Sequence, residues 1–315
     1  MKTLVVIEDH INQNAAELLS FGAALGDVAL YAPHCSSESK NSELVAEAGK
    51  YGASEVYDAS AVSQQNILSD AFATSLGSLV QEQKFDTVLF TSCIANTEIA
   101  ARLAVKLKVG ILTQVTSLNK DGSTEHTPFA GRYTVTAHSK SDVKIIVAKK
   151  NSYAAVENPT EVERVTLGTA PVKNAETRIV AIEEKQPSDR PELTEADIVV
   201  AGGMGTNGDF SPLEDLADEL GAAIGSTRAA TDEGWIDHDT QVGQTGATVS
   251  PRLYISAGIS GAIQQKSGMQ TSENIVAINT DPDALVFEIA DFGIVGDLHT
   301  VVPQITQELK KRKNS

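Results

Sequence analysis

Residues 196–226 read ADIVVAGGMGTNGDFSPLEDLADELGAAIGS. Asp197–Ala201 is an apolar run of strand length, and glycines crowd the turn that follows it at 202–208. Leu213, Leu216, Ala217 and Leu220 then recur at helical spacing, and Ala222–Ser226 reads as a second short strand. Ser211-Pro212-Leu213-Glu214 predicts the helix start as a capping box, with proline at the first helical position. Strand, tight turn, amphipathic helix and strand make a βαβ crossover, which requires a parallel sheet with right-handed connections.

The same alternation extends in both directions. Downstream, Leu253–Ala257 and Ile275–Asn279 read as strands and Leu298–Lys311 as a closing helix. Basic residues 310–313 (KKRK) complement that helix's dipole and read as a solvated tail. Upstream, Leu4–Ile7, Val28–Tyr31 and Thr87–Thr91 read as strands, separated by helical patterns at Gln13–Leu25, Ser42–Gly49 and Val62–Gln83. Gly26 and Gly49 mark helix ends. From Leu112 to Ile182 the pattern changes to strands at Thr127–His138, Lys144–Lys149 and Arg178–Ile182 with few helices between, which predicts antiparallel pairing at the outer part of the first domain. Glu183–Glu195 has two prolines, many charges and few apolar residues, the composition of a linker. The expected class is α/β, with an N-terminal parallel-sheet, nucleotide-binding-like domain at 1–190 and the linker ending at 191–195. A doubly wound parallel-sheet domain follows at 196–315.

A length of 315 residues fits two domains of about 150 each. Aromatics are 5% of a chain that is 41% hydrophobic, so the core is mostly aliphatic, as in helix-covered parallel sheets. Twenty-five basic residues against 42 acidic give a net charge of −17, which excludes general binding to nucleic acid and argues against docking on anionic lipid. Cys35 and Cys93 form no CxxC pair, so neither a redox dithiol nor a zinc site is expected. With no disulfide framework, no leader-like start and no apolar run near 20 residues, the expected location is the cytoplasm. Histidines 10, 34, 126, 138, 238 and 299 lack metal-ligand spacing. His34-Cys35 reads as a loop beside a buried thiol. Asp232, Glu233, Asp237 and Asp239 lack the glycine and terminal Glu of a calcium loop.

Three loops carry polar or glycine chemistry. Gly203-Met-Gly205-Thr-Asn-Gly208 matches GxGxxG after a strand, yet the next strand ends in Ser226-Thr227-Arg228 and lacks the acid that would bind a ribose hydroxyl. A nicotinamide site, another nucleotide loop and a plain turn all remain open. Gly258-Ile-Ser260-Gly261-Ala262 is one residue short of a nucleophile elbow and has no evident His–acid pair. It offers instead a helix N-terminus, with Ser260 as cap and N–H groups suited to a phosphate. Gln241-Val-Gly243-Gln-Thr-Gly246 is uncharged and polar, able to hydrogen-bond a heteroaromatic edge or to serve as a surface turn.

Five segments occur in order: Ser226-Thr-Arg-Ala-Ala-Thr-Asp232, Gln241–Gly246, Leu253-Tyr-Ile-Ser-Ala-Gly-Ile-Ser-Gly-Ala-Ile-Gln264, Val276-Ala-Ile-Asn-Thr-Asp-Pro282 and Gly293-Ile-Val-Gly-Asp-Leu298. This series closely resembles the FAD-binding domain of the electron transfer flavoprotein alpha subunit, over about residues 196–308. The first half is similar to that family's N-terminal domain by texture. The resemblance implies a heterodimer with a beta subunit, which holds AMP or a second FAD. It also implies electron relay from flavin dehydrogenases, such as acyl-CoA dehydrogenases of fatty acid β-oxidation, to a quinone reductase or other acceptor. Such a chain is an electron carrier and not itself an enzyme.

On this resemblance Arg228 faces the flavin and Thr227 keeps the hydroxyl of the family's usual serine. Thr245 lies near N5, with Gln241, Val242, Gly243 and Gln244 around the ring. Gly258, Ser260, Gly261, Ala262, Ile263, Gln264 and Gln265 surround the pyrophosphate and ribityl chain, while Asn279, Asp297 and Leu298 meet the adenosine end. Two positions depart from the family. Met204 replaces an arginine, which removes one cation. Gln265 replaces a histidine near flavin O2, and an amide hydrogen-bonds but cannot become charged. FAD is still expected to bind, with the added electron held less well than in relatives. The alternatives are an NAD-dependent dehydrogenase using glycines 203–208 and a nucleotide-binding regulatory module without redox activity.

Overall fold

The computed structural model describes residues 1–33, 38–63, 69–129, 131, 133–168, 180–181 and 190–313. The chain forms two compact units, Met1–Thr127 with Tyr133–Glu184, and Pro128–Arg132 with Lys185–Ser315. His34 and Cys35 lie outside the described residues, as does most of the strand expected at Arg178–Ile182.

The first unit alternates strands β1 (Lys2–Val6), β2 (Asp27–Ala32), β3 (Ala53–Asp58) and β4 (Thr87–Thr91) with helices. The helices are α1 (Gln13–Leu25), α2 (Glu38–Lys50), α3 (Ser60–Ser63), α4 (Asp70–Gln83) and α5 (Ile94–Leu107). There follow β5 (Ile111–Val115), β6 (Ser117–Leu118), β7 (Ser123–His126), β8 (Val135–His138), β9 (Lys144–Ala148) and β10 (Glu163–Thr166). Seven strands form one parallel sheet in the order β10-β3-β2-β1-β4-β9-β5. Leu4, Val6 and Val88 pack on one face, Val5, Leu30 and Leu89 on the other, so both faces are covered by apolar cores.

Among the described residues, antiparallel pairing is confined to β6-β7-β8. The expectation for Lys144–Lys149 is therefore corrected: this run, apolar on both faces, pairs in parallel between β4 and β5. The strand expected over Thr127–His138 begins only at Val135. The helical pattern at Val62–Gln83 splits into α3 and α4, with Ser69 before α4 at a positive φ of 24°.

Helix α1 is set at both ends. Asn12 accepts the Ala15 N–H as N-cap, and Gly26 ends the helix at φ 151°, where a Cβ would sit 2.4 Å from the Met1 carbonyl oxygen. One row of α1 is polar yet buried. Asn14 accepts the Ser92 N–H and donates to the Lys149 carbonyl, linking the carboxyl ends of β4 and β9. Glu17 accepts the Asn151 N–H at 2.8 Å and Gln13 Nε2 at 3.1 Å, and burial pushes its carboxyl up to about 7 against those opposing hydrogen bonds.

The second unit contains β11 (Ile198–Gly202), α6 (Ser211–Leu220), β12 (Ala223–Ser226), α7 (Arg228–Asp232), β13 (Leu253–Ala257), α8 (Ile263–Lys266), β14 (Ile275–Asn279), β15 (Phe292–Val295) and α9 (Leu298–Lys313). All five strands are parallel, in the order β12-β11-β13-β14-β15. Val200 and Ile255 pack on one face with Leu213, Leu216 and Val302, while Val199, Ala201 and Tyr254 pack on the other with Met269. Leu193 is buried in the latter core, and the Ala196 N–H bonds to the Glu192 carbonyl.

The capping box predicted at Ser211 is corrected. Asp209 is the acceptor: its Oδ1 takes both the N–H and the hydroxyl of Ser211, so the serine donates instead of capping. Gly221 ends α6 at φ 65°. Among the described residues no helix is long and apolar enough to cross a membrane.

Glu17 makes the first unit's stability depend on pH. A folded-state carboxyl raised above its unfolded value favours the native state fully below the unfolded pKa, and this is lost as pH rises through about 7. The melting temperature of the full chain should fall between pH 5 and pH 8. Glu17→Gln should flatten that fall by on the order of 5 °C, read by calorimetry.

Candidate functional site

In the second sheet the chain first builds outward from β11 to β12, then returns to place β13 on β11's other side. Crossovers on opposite faces leave a crevice at the carboxyl ends of the two strands where the direction reverses. A cavity of about 630 Å³ occupies that place. Its wall follows the strand ends: Met204 and Gly205 after β11, Thr227–Ala229 after β12, Gly258–Ser260 after β13, Ile278–Thr280 at β14, and Gly296–Leu298 after β15. Residues 241–245 with Ala262, Gln264 and Gln265 complete it.

Glycines 205 and 258 let two backbone turns touch. A Cβ on Gly205 would sit 2.6 Å from Gly258 Cα, and Gly258 itself has φ 63°. Gly203 is equally close, with a virtual Cβ 2.6 Å from the Gly258 carbonyl oxygen. The first two glycines of the GxGxxG match thus serve contact with the turn after β13, Gly208 turns at φ 87° against Trp235, and α6 starts beyond all three.

The loop from Gln241 is held on both sides. Val242 N–H bonds to the Ser226 carbonyl at the end of β12, and Gln244 N–H bonds to the Gln264 carbonyl in α8. Gln241 Nε2 donates to the Thr245 hydroxyl at 2.9 Å, so that hydroxyl keeps its own proton for donation elsewhere. Val242 is buried, an apolar wall between these polar groups. Arg228 opens α7 with its side chain two-thirds exposed on the cavity rim, and its Nε donates to Asp232 Oδ2 at 3.1 Å.

At the other end, both polar atoms of the Asn279 amide are engaged. Its Nδ2 donates to the Ile259 carbonyl and its Oδ1 accepts the Asp281 N–H, tying β14 to the turn after β13. Asp297 accepts the His299 N–H at 2.9 Å with one oxygen at the start of α9.

The expected helix N-terminus at Ser260 is corrected. Helix α8 is one turn beginning at Ile263, its N-cap is Ala262, and no side chain caps it. Gly261 takes φ 83° and packs where a Cβ would lie 2.3 Å from Val286 N, so the chain is still turning there. Neither Gly261 nor Ile263 lines the cavity; every other residue of the expected binding set does. Met204, Gly205, Ala229, Ile259, Ile278, Thr280 and Gly296 line it as well. Their shared feature is a place at or just beyond the carboxyl end of a strand, a signal readable from topology alone.

Two buried polar atoms on the wall have no hydrogen-bond partner among the described residues: Thr227 Oγ1 and Gln265 Oε1. An orphaned buried polar group costs about 1–3 kcal/mol, which a polar ligand in the cavity would recover. The mixed lining of one cation, amides, hydroxyls and apolar side chains fits a flat heteroaromatic dinucleotide. No group of three or more metal-ligating side chains occurs among the described residues.

Residues 3–184 match the family model described as the electron transfer flavoprotein domain, and residues 192–270 match its FAD-binding domain. The chain belongs to the electron transfer flavoprotein alpha-subunit family. It is 38% identical to the electron transfer flavoprotein subunit alpha of Mycobacterium leprae (strain TN), across 99% of this chain and all of that protein. It is 39% identical to the corresponding subunit of Syntrophomonas wolfei across 85% of this chain and 86% of that protein, and 34% identical to that of Bacillus subtilis (strain 168) across 83% and 82%. Within the electron transfer flavoprotein family, the matched FAD-binding stretch here contains the β11 and β13 turns and the Gln241 loop that form the cavity.

Gly205→Ala tests the backbone contact. The methyl would force the β11 and β13 turns apart, and a loss of about 1–3 kcal/mol is expected in denaturant unfolding of the second unit.

Proposed function

We propose that this cavity holds FAD and that the chain, paired with a beta subunit, relays electrons between protein partners in the cytoplasm. Donors would be flavin dehydrogenases such as acyl-CoA dehydrogenases, and acceptors a quinone reductase or similar protein. The observation that carries the reading is the crevice at the topological switch point, with Arg228 on its rim, inside the stretch that matches the FAD-binding domain. FAD, when bound, supplies the redox chemistry.

The chain's own residues bind and tune. Arg228 brings a permanent guanidinium to the rim, and with Nε on Asp232 its other nitrogens stay free to face negative charge. A cation there favours the reduced, anionic form of the cofactor and raises its potential. Thr245 offers a hydroxyl proton whose direction is fixed by Gln241. Val242 excludes water from one face, and Thr227 Oγ1 supplies an unpaired hydroxyl. Asp297 keeps one carboxylate oxygen for a ribose hydroxyl, while Asn279 shapes the adenosine end by holding the turn at Ile259. Gly258, Ser260, Ala262 and Gln264 line the middle, where the pyrophosphate would run. No general acid or base is required. Against the dehydrogenase alternative built on glycines 203–208 stands the family match, since the relatives are electron transfer flavoprotein alpha subunits.

The net charge of −17 suits fast, weak encounters with basic patches on partners, and their rate should fall as salt rises. Purified with its beta subunit, the protein should be yellow with one FAD per heterodimer. AMP accompanies a simple relay, whereas two flavins would show a second one in the beta subunit. A colourless complex that takes up no FAD would overturn the reading. Arg228→Gln should keep FAD bound while lowering its midpoint potential by on the order of 60 mV, a tenfold weaker hold on the added electron. Gln265→His should move the potential upward.

A further inference from the structure

Gln265 is 6% exposed, lines the cavity, and uses only part of its amide. Its Nε2 donates to the Tyr254 hydroxyl at 3.0 Å in a fully buried contact, and its Oε1 has no partner. Tyr254 stands on β13 with no exposed surface, and burial raises its phenol pKa well above the ordinary value, so the hydroxyl stays neutral at any physiological pH. The partner is rigid because the strand is central, paired to β11 and β14 on its two sides.

This bond decides which atoms of the amide are left. Nε2 carries two hydrogens, and Tyr254 takes one. What remains is one carbonyl acceptor beside one N–H donor. That pair matches an imide edge, where an N–H lies next to a C=O, as a glutamine amide matches the paired acceptor and donor of adenine. A phosphate offers no donor for Oε1, and hydrocarbon offers neither. Gln265 also sits beside the Gln241 loop: Gln244 N–H bonds to the Gln264 carbonyl, and a Cβ on Gly243 would lie 3.5 Å from Gln265 Cα. It is therefore placed at the end of the cavity carrying Thr245.

We infer that Tyr254 is a positioning residue that holds the Gln265 amide so that it reads the N–H and adjacent C=O of the pyrimidine edge of the flavin. The inference rests on FAD being the ligand. It makes Gln265 a specificity residue for an unsubstituted imide.

The test compares FAD with its N3-methyl analogue, reloaded into the stripped full chain with its beta subunit, and reads dissociation constants. The unmutated protein should bind the methylated cofactor at least about tenfold more weakly. In Gln265→Met that ratio should fall to about one, which separates lost hydrogen bonding from the bulk of the methyl group. Tyr254→Phe should retain FAD and lower the ratio severalfold. In the unmutated protein the side-chain amide protons of Gln265 should also exchange slowly with solvent, a readout that needs no variant. Equal affinity for the two cofactors in the unmutated protein overturns the edge reading and leaves FAD binding intact. Failure to bind either cofactor overturns FAD as the ligand. An unchanged ratio in Tyr254→Phe, or fast exchange of the Gln265 amide, overturns the role of the tyrosine.

Discussion

Contact between two backbone turns, at Gly205 and Gly258, governs the second unit. Side chains at either place would separate the ends of β11 and β13 by the width of a methyl group. Parallel strands end in register, so a shift at one turn would be felt at the neighbouring strand ends that form the rest of the wall. The glycines thus act through packing. They permit a floor made of peptide groups, above which side chains from distant parts of the sequence converge.

Above that floor the wall has a polarity. One end carries Arg228, Thr245 and Gln265, the other Asn279 and Asp297. The residues at the first end are held by the Gln241 loop, whose main chain bonds both to β12 and to α8. The second end depends on Asn279 and on the first turn of α9. Each end is fixed by hydrogen bonds that span elements, so the separation between them follows from the sheet itself.

Much of this was legible in the residues. Gln13–Leu25, Leu253–Ala257 and Ile275–Asn279 appear with the bounds that their apolar periodicity predicts, because glycines, asparagines or charges punctuate both ends. Helix α5 escaped notice for a chemical reason: its N-cap is the Cys93 thiol, and Lys108 with φ 57° closes it where glycine is usual. Strand β15 is only four residues long and lies at the sheet edge with three of them exposed, so its short run FGIV carries little strand signal. At the cavity, the ordered polar motifs pointed to most of the wall. The Ser260 cap misled because Gly261 keeps turning at positive φ, a conformation that no pattern of side chains announces. Thr280 and Gly296 carry no distinctive chemistry; only their place after a strand puts them there.

The two sheets share a reversal of strand order. In the first, β1 is flanked by β2 on one side and β4 on the other, so its strand order reverses as well. Nearby, a single asparagine at position 14 bridges the peptide N–H of Ser92 and the carbonyl of Lys149, just beyond two neighbouring strands. That amide ties α1 to the segments leaving two adjacent strands, so a single substitution at position 14 would loosen both exits at once.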